Sequence, residues 1–137
     1  MIKDIWINLP VKNVEKSVTF FKQLDFKFNS QYGNSPQSAS LLMGDKNVVV
    51  MLFDETLFKT FTNHPITDSK QSTEILLSVG AESREEVDAI AKKAEAAGGV
   101  VFGKPGESQG WLYGCGFTDL DGHRWNVLFM DFEKMPK

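Results

Sequence analysis

Two stretches of this chain close on almost the same apolar run, and that repetition constrains the fold more than any single motif. Asn47 to Asp54 reads NVVVMLFD and Phe117 to Asp131 reads FTDLDGHRWNVLFMD, so VMLFD in one half answers VLFMD in the other. The openings of the halves match as well: Ile75, Leu77 and Val79 repeat Ile7, Leu9 and Val11 at an offset of 68 positions. The closing residues Asp54 and Asp131 stand 77 apart, because the stretch from Gly103 to Gly110, with Pro105-Gly106, reads as a longer loop than its counterpart. Two copies imply paired modules, since a stacked repeat array needs about three or more units.

Each copy spells the same elements. In Ile2 to Val11 the apolar residues Ile5, Ile7, Leu9 and Val11 recur with period two, which predicts a strand with Trp6 and Asn8 on its other face. Asn13 caps a helix whose stripe is Val14, Val18, Phe21 and Leu24, helped by Phe20. Lys27 to Tyr32, Gln37 to Met43 and Asn47 to Phe53 predict three strands, Asp54 to Phe61 a brief helix, and Thr62 to Gln71 a polar connector. The second copy runs from a strand at Ser72 to Val79, through the capping box Ser83-x-x-Glu86, to a helix striped with Val87, Ile90, Ala91, Ala94 and Ala97 and stopped at Gly98-Gly99. Val100 to Phe102, Trp111 to Thr118 and His123 to Met130 complete it, the last two joined by a two-residue Asp121-Gly122 hairpin turn. The expected fold is α+β: one domain of two βαβββ modules, about 1–54 and 72–131, with a connector at about 55–71 and a tail at 132–137.

Composition narrows the class of partner. A chain of 137 residues suits one domain with its own core, and a net charge of −3 argues against a nucleic-acid groove, which needs clustered basic residues. No apolar run approaches the roughly 18 residues of a membrane helix. Lys3 and Asp4 interrupt the N-terminus where a signal peptide is apolar, and the single cysteine, Cys115, excludes an internal disulfide. The expectation is a cytoplasmic protein with a small-molecule ligand and no nucleic-acid or membrane partner.

One helix per module covers one face of its sheet. The other face, with Trp6, Asn8, Glu74, Leu76, Ser78, Asn126 and Leu128 by alternation, is then expected to meet the second module or a second chain, with a concave ligand site between two sheets. Open sheet edges and this bare face suggest a homodimer.

LPVKNVEKSVTFFKQLDF at Leu9 to Phe26, the strand and capped helix at Glu74 to Gly98, and FTDLDGHRWNVLF at Phe117 to Phe129 together resemble the vicinal oxygen chelate superfamily, which includes glyoxalase I, bleomycin-resistance proteins, fosfomycin-resistance enzymes and extradiol dioxygenases. Small bacterial proteins labelled predicted lactoylglutathione lyases are the group it is most similar to. The resemblance implies a curved mixed sheet around a cleft, with metal ligands from the first and last strands of each module. Carried over by position, those places hold Trp6, Val49 or Val50, Glu74 and Asn126. Zinc and iron sites take three or more His, Cys or carboxylate ligands. One carboxylate and one amide remain, so no metal and no other cofactor is expected, with a divalent zinc, nickel, manganese or iron site as the alternative.

The candidate residues each carry two readings. Glu74, if desolvated on an apolar cleft face, would act as a base near neutral pH; otherwise it is a solvated strand-end carboxylate or a partner of Arg124 or a lysine. Asn8 and Asn126 either orient a polar ligand or bond to backbone. Trp6, Trp111 and Tyr113 either stack on a flat ligand or pack in the core or a dimer. Cys115, between Gly114 and Gly116, is either a reactive thiol at a close-approach site or a small buried hydrophobe. Trp125, on the opposite alternation with Val127 and Phe129, is expected under a helix. His64 and His123 read as surface or hairpin residues, and Asp119-x-Asp121-Gly122 lacks the twelfth-position Glu of a calcium loop. The leading functional expectation is a protein that binds a small amphipathic or aromatic molecule without metal. The alternatives are a metal-dependent lyase, isomerase or dioxygenase, and a metal-free enzyme that moves a proton with Glu74.

Overall fold

The computed structural model describes residues 1–137 and divides into two compact units, Met1–Asp68 and Ser69–Lys137. In the first, β1 (Trp6–Val11) leads into α1 (Val14–Gln23), β2 (Lys27–Phe28), β3 (Ser38–Met43), β4 (Val48–Asp54) and α2 (Glu55–Thr62). The second holds β5 (Leu76–Gly80), α3 (Arg84–Ala96), β6 (Val100–Ser108), β7 (Leu112–Thr118) and β8 (Arg124–Met130). The sheet orders are β1-β4-β3-β2 and β5-β8-β7-β6, each with one parallel pair beside antiparallel ones. The expected duplication of an α+β module is therefore present.

Both long helices start where their caps predict. Asn13 Oδ1 accepts from the Lys16 backbone N–H at 2.9 Å and Ser83 Oγ from that of Glu86 at 3.1 Å, each satisfying an orphan donor of the first turn. The Glu86 carboxylate reaches back to the Glu82 N–H at 3.4 Å. In the first unit Val14, Phe20, Phe21 and Leu24 are buried with Leu9, Val11, Leu41, Val50 and Leu52. In the second, Val87, Ile90, Ala91 and Ala94 are buried with Leu77, Phe117, Trp125 and Val127, which places Trp125 beneath α3 as its alternation requires.

Several element bounds differ from the sequence reading. β2 stops at Phe28 rather than Tyr32 because Asn29 Oδ1 accepts from the N–H groups of Gln31 and Tyr32 and turns the chain. The loop that follows lies over the first sheet: a Cβ on Gly33, whose φ is +80°, would meet Ser40 Cβ at 3.0 Å and Met51 Cε at 3.2 Å. β5 begins at Leu76, not Ser72, since its parallel partner β8 begins at Arg124, opposite Leu76, and offers no strand further back. β6 runs on to Ser108, where a loop was expected after Phe102; register shifts around Gly103 and Gly106 accommodate Pro105, which has no N–H to give the ladder.

The closing hairpin also departs from the two-residue turn. Gly122 alone in the loop has positive φ, +88°, and its N–H donates to Asp119 O at 3.1 Å, while the Asp119 N–H donates to His123 O at 3.0 Å. This is a three-residue loop with a left-handed closing residue. A side chain at 122 would strike Lys70 and the Ser69 carbonyl carbon within about 3.0 Å, so glycine is required there twice over.

Candidate functional site

Strand pairing decides which candidate residues share a face, because residues directly opposite across a ladder point the same way. On β7 and β8 the pairs are Gly114 with Leu128, Gly116 with Asn126 and Thr118 with Arg124 on one face, and Tyr113 with Phe129, Cys115 with Val127 and Phe117 with Trp125 on the other. The second face is the one α3 covers. The side chains of Tyr113 and Cys115 therefore point away from that of Asn126, which corrects their expected grouping; Cys115 still lines the groove beside Asn126, whereas Tyr113 does not. Tyr113 donates its hydroxyl to Asp88 Oδ1 on α3 at 2.6 Å, and that bond pushes its pKa up. Cys115 Sγ lies 3.8 Å from Val87 O, and burial pushes the thiol up, away from thiolate reactivity.

Asn126 stands on the face away from α3, beside a groove of about 250 Å³ whose walls are Phe102, Leu112 and Leu128 and whose floor is the glycine backbone of β6 and β7. The glycines make the groove. A Cβ on Gly116 would sit 2.5 Å from the Phe102 ring, and one on Gly114 would meet Leu128 Cδ2 at 2.6 Å and Val127 O at 2.9 Å. Bare backbone at 114 and 116 lets these two side chains close onto the strand with a trough between them. Sequence reasoning noted the glycine pair as a close-approach site and put Leu128 on the face of Asn126, but missed Phe102, whose placement depends on the β6 bulge.

A larger depression of about 680 Å³ lies on the other side, between α3 and β6, lined by Asp88, Lys92, Glu95, Val101 and Lys104 among others. Asp88 is half-buried and taken by the Tyr113 hydroxyl, and Lys92, Glu95 and Lys104 are exposed charges of mixed sign, the ordinary composition of a solvated face.

The remaining candidates fall outside the groove. Glu74 is exposed, in a bend two residues ahead of β5 rather than on its cleft-facing strand, so the desolvation that would make it a base is not supplied there. The Arg124 partner suggested for it is not engaged, as Arg124 forms no ion pair. Trp111 precedes β7, and its indole Nε1 is buried with no acceptor. Trp6, 57% exposed, and Asn8 lie on the first unit's sheet face away from α1, opposite Val49 and Met51 of β4.

The residues at the places where the resemblance implies metal ligands do not fit a metal. Trp6 and Val49 have no ligating atom, Asn126 offers a neutral amide, Glu74 is off the strand, and no three His, Cys, Asp or Glu side chains converge anywhere in the chain.

A sequence model described as the Glyoxalase/Bleomycin resistance protein/Dioxygenase superfamily matches residues 5–127. Among solved structures, the hypothetical protein SA1046 from S. aureus is 36% identical, with 94% of each chain covered and a TM-score of 0.82. A glyoxalase-related enzyme from Fulvimarina pelagi superposes with a TM-score of 0.79 at 18% identity over 94% of this chain and 88% of its own. The genomically encoded fosfomycin resistance protein FosX from Listeria monocytogenes does so at 0.67 and 20% identity over 98% of both chains. No curated protein matches. No helix is long and apolar enough to cross a membrane.

Proposed function

We propose, for a chain that belongs to the Glyoxalase/Bleomycin resistance protein/Dioxygenase superfamily, that it binds a small amphipathic or aromatic molecule, without metal, in the glycine-floored groove of β6, β7 and β8. The groove itself carries the reading: apolar walls at Phe102, Leu112 and Leu128 with one amide, Asn126, placed to orient a polar atom. At about 250 Å³ it is smaller than the roughly 300 Å³ lower end of drug-sized pockets, which suits one ring with short substituents. Function is argued from this groove, because the fold alone hosts several unrelated chemistries. Binding works by burial of apolar surface and stacking against Phe102.

The test is a screen of small aromatic and amphipathic compounds by amide chemical shifts, repeated on Gly116→Val. The new side chain must displace the Phe102 ring, which is 43% exposed and can move toward solvent, so the variant is expected to stay folded while the groove fills. Affinity is expected to fall by roughly 10-fold or more, the equivalent of about 1.4 kcal/mol. Undiminished binding in the variant would move the ligand out of this groove.

Metal independence has its own check. The purified chain, incubated in turn with zinc, nickel, manganese and ferrous iron and then desalted, is expected to retain far less than one equivalent. Stoichiometric retention would replace this reading with a metal-dependent lyase, isomerase or dioxygenase. The proposal includes pairing of two copies, supported by the edge strands that each four-stranded sheet carries, with sedimentation as the measurement.

A further inference from the structure

A cationic side chain stands beside the groove with no acid bonded to it. Arg124 is on the β8 face that carries Asn126 and Leu128, its guanidinium 4.3 Å from the centroid of the Phe102 ring, and it makes no hydrogen bond or ion pair within the chain. Lys104, on the groove rim, is exposed and also borders the depression that holds Asp88 and Glu95. No Asp or Glu lines the groove, so a chain of net charge −3 reverses its sign locally. Arg84 shows the contrast: it bonds Glu107 at 2.6 Å and stacks over Tyr113 and Phe129 on the opposite side of the same sheet.

An arginine held against an aromatic face keeps its planar fork of N–H donors ready for two parallel bonds to a carboxylate, and its stem has less freedom left to lose. We infer that the ligand of this groove is an organic acid. Its apolar body lies in the trough between Leu128 and Phe102, and its carboxylate pairs with Arg124. Lys104 adds attraction at the rim. The inference rests on the groove reading above and names the chemical class of its ligand.

Three probes with one body and different heads separate the two claims: 4-phenylbutyrate, 4-phenylbutan-1-ol and 4-phenylbutylamine, titrated into the isotope-labelled full chain and followed at the amides of Gly114, Gly116 and Asn126. The acid is expected to shift these amides and to bind roughly 10-fold or more tightly than the alcohol, the increment of a charge-assisted bidentate bond. The amine is expected to bind worst. Arg124→Gln should bring the acid to the alcohol's affinity, and Arg124→Lys should restore part of the difference. Equal binding of acid and alcohol would overturn the acid inference and leave the groove reading standing. Failure of all three probes to move these amides would sink both. Shifts that follow protein concentration and ignore the probes would assign the face to a second copy and likewise overturn the inference.

Discussion

Trp125→Ala is expected to destabilise the chain by about 3–5 kcal/mol, the range for removing a large buried aromatic. Trp125 is 1% exposed, lies beneath α3 and stacks on Phe117 with ring centroids 6.3 Å apart and planes 3° from parallel. Its truncation removes that contact and strips the Asp119 carboxylate of the indole donor at 3.2 Å. Against a typical total of about 5–15 kcal/mol the loss is severe, and a thermal midpoint lower by on the order of 10 °C should accompany it. Trp125→Phe keeps an aromatic ring beneath the helix and loses the N–H, so a cost of about 1–2 kcal/mol is expected for it. Urea unfolding of the three proteins decides the matter. A Trp125→Ala cost below about 1 kcal/mol would mean that this stack does not hold the second sheet to its helix.

That core face is also what positions the groove. Strand β8 buries Trp125 and Val127 beneath α3 and by alternation turns Arg124, Asn126 and Leu128 to the other side. Rigid packing on one face thus fixes the spacing of the groups on the other. The groove's side chains sit on strands rather than loops, and the glycines of β7 give up packing of their own so that Phe102 and Leu128 can close onto them.

The duplication was legible because it rests on patterns with strong physical causes. Alternation at Ile7, Leu9 and Val11, the caps Asn13 and Ser83, and the glycine stop after α3 each depend only on nearby residues, and each recurs in the structure. The facing of β7 was not legible. Its register is set by β8, and a slip of one residue exchanges the faces, so Tyr113 and Cys115 read as ligand contacts while Gly114 and Gly116 hold that side. The strand placement of Glu74 was illegible for a related reason: a parallel strand extends only as far as its partner, and the partner's start at Arg124 lies across a turn no local signal measures. Asp119 shows the third limit. The sequence displays an Asp-x-Asp-Gly turn, but only the folded hairpin reveals that one carboxylate takes most of its hydrogen bonds.

Asp119 is 4% exposed, and its Oδ1 accepts from the Asp121 and His123 N–H groups at 3.0 Å each while Oδ2 accepts from Trp125 Nε1 at 3.2 Å. Burial pushes its pKa above the usual carboxylate range; the neighbouring His123 and the Trp125 hydrogen bond oppose that rise, and the nearby Asp121 reinforces it. The sign follows from proton counting. Between the ordinary value of about 3.9 and its raised value, the folded chain binds more protons at this site than the unfolded chain, so stability falls as pH rises through that window. The site's favourable contribution is complete below the window and lost above it. Asp119→Asn cannot titrate, and its amide must point a donor at the Trp125 donor or at the two backbone N–H groups. A cost of about 1–3 kcal/mol is therefore expected. The stability difference between wild type and Asp119→Asn should be larger near pH 4 than at pH 7, as read from urea midpoints across that range. A difference that grows with pH would show that the three donors outweigh burial and that the carboxylate, not the acid, is the form the hairpin is built around.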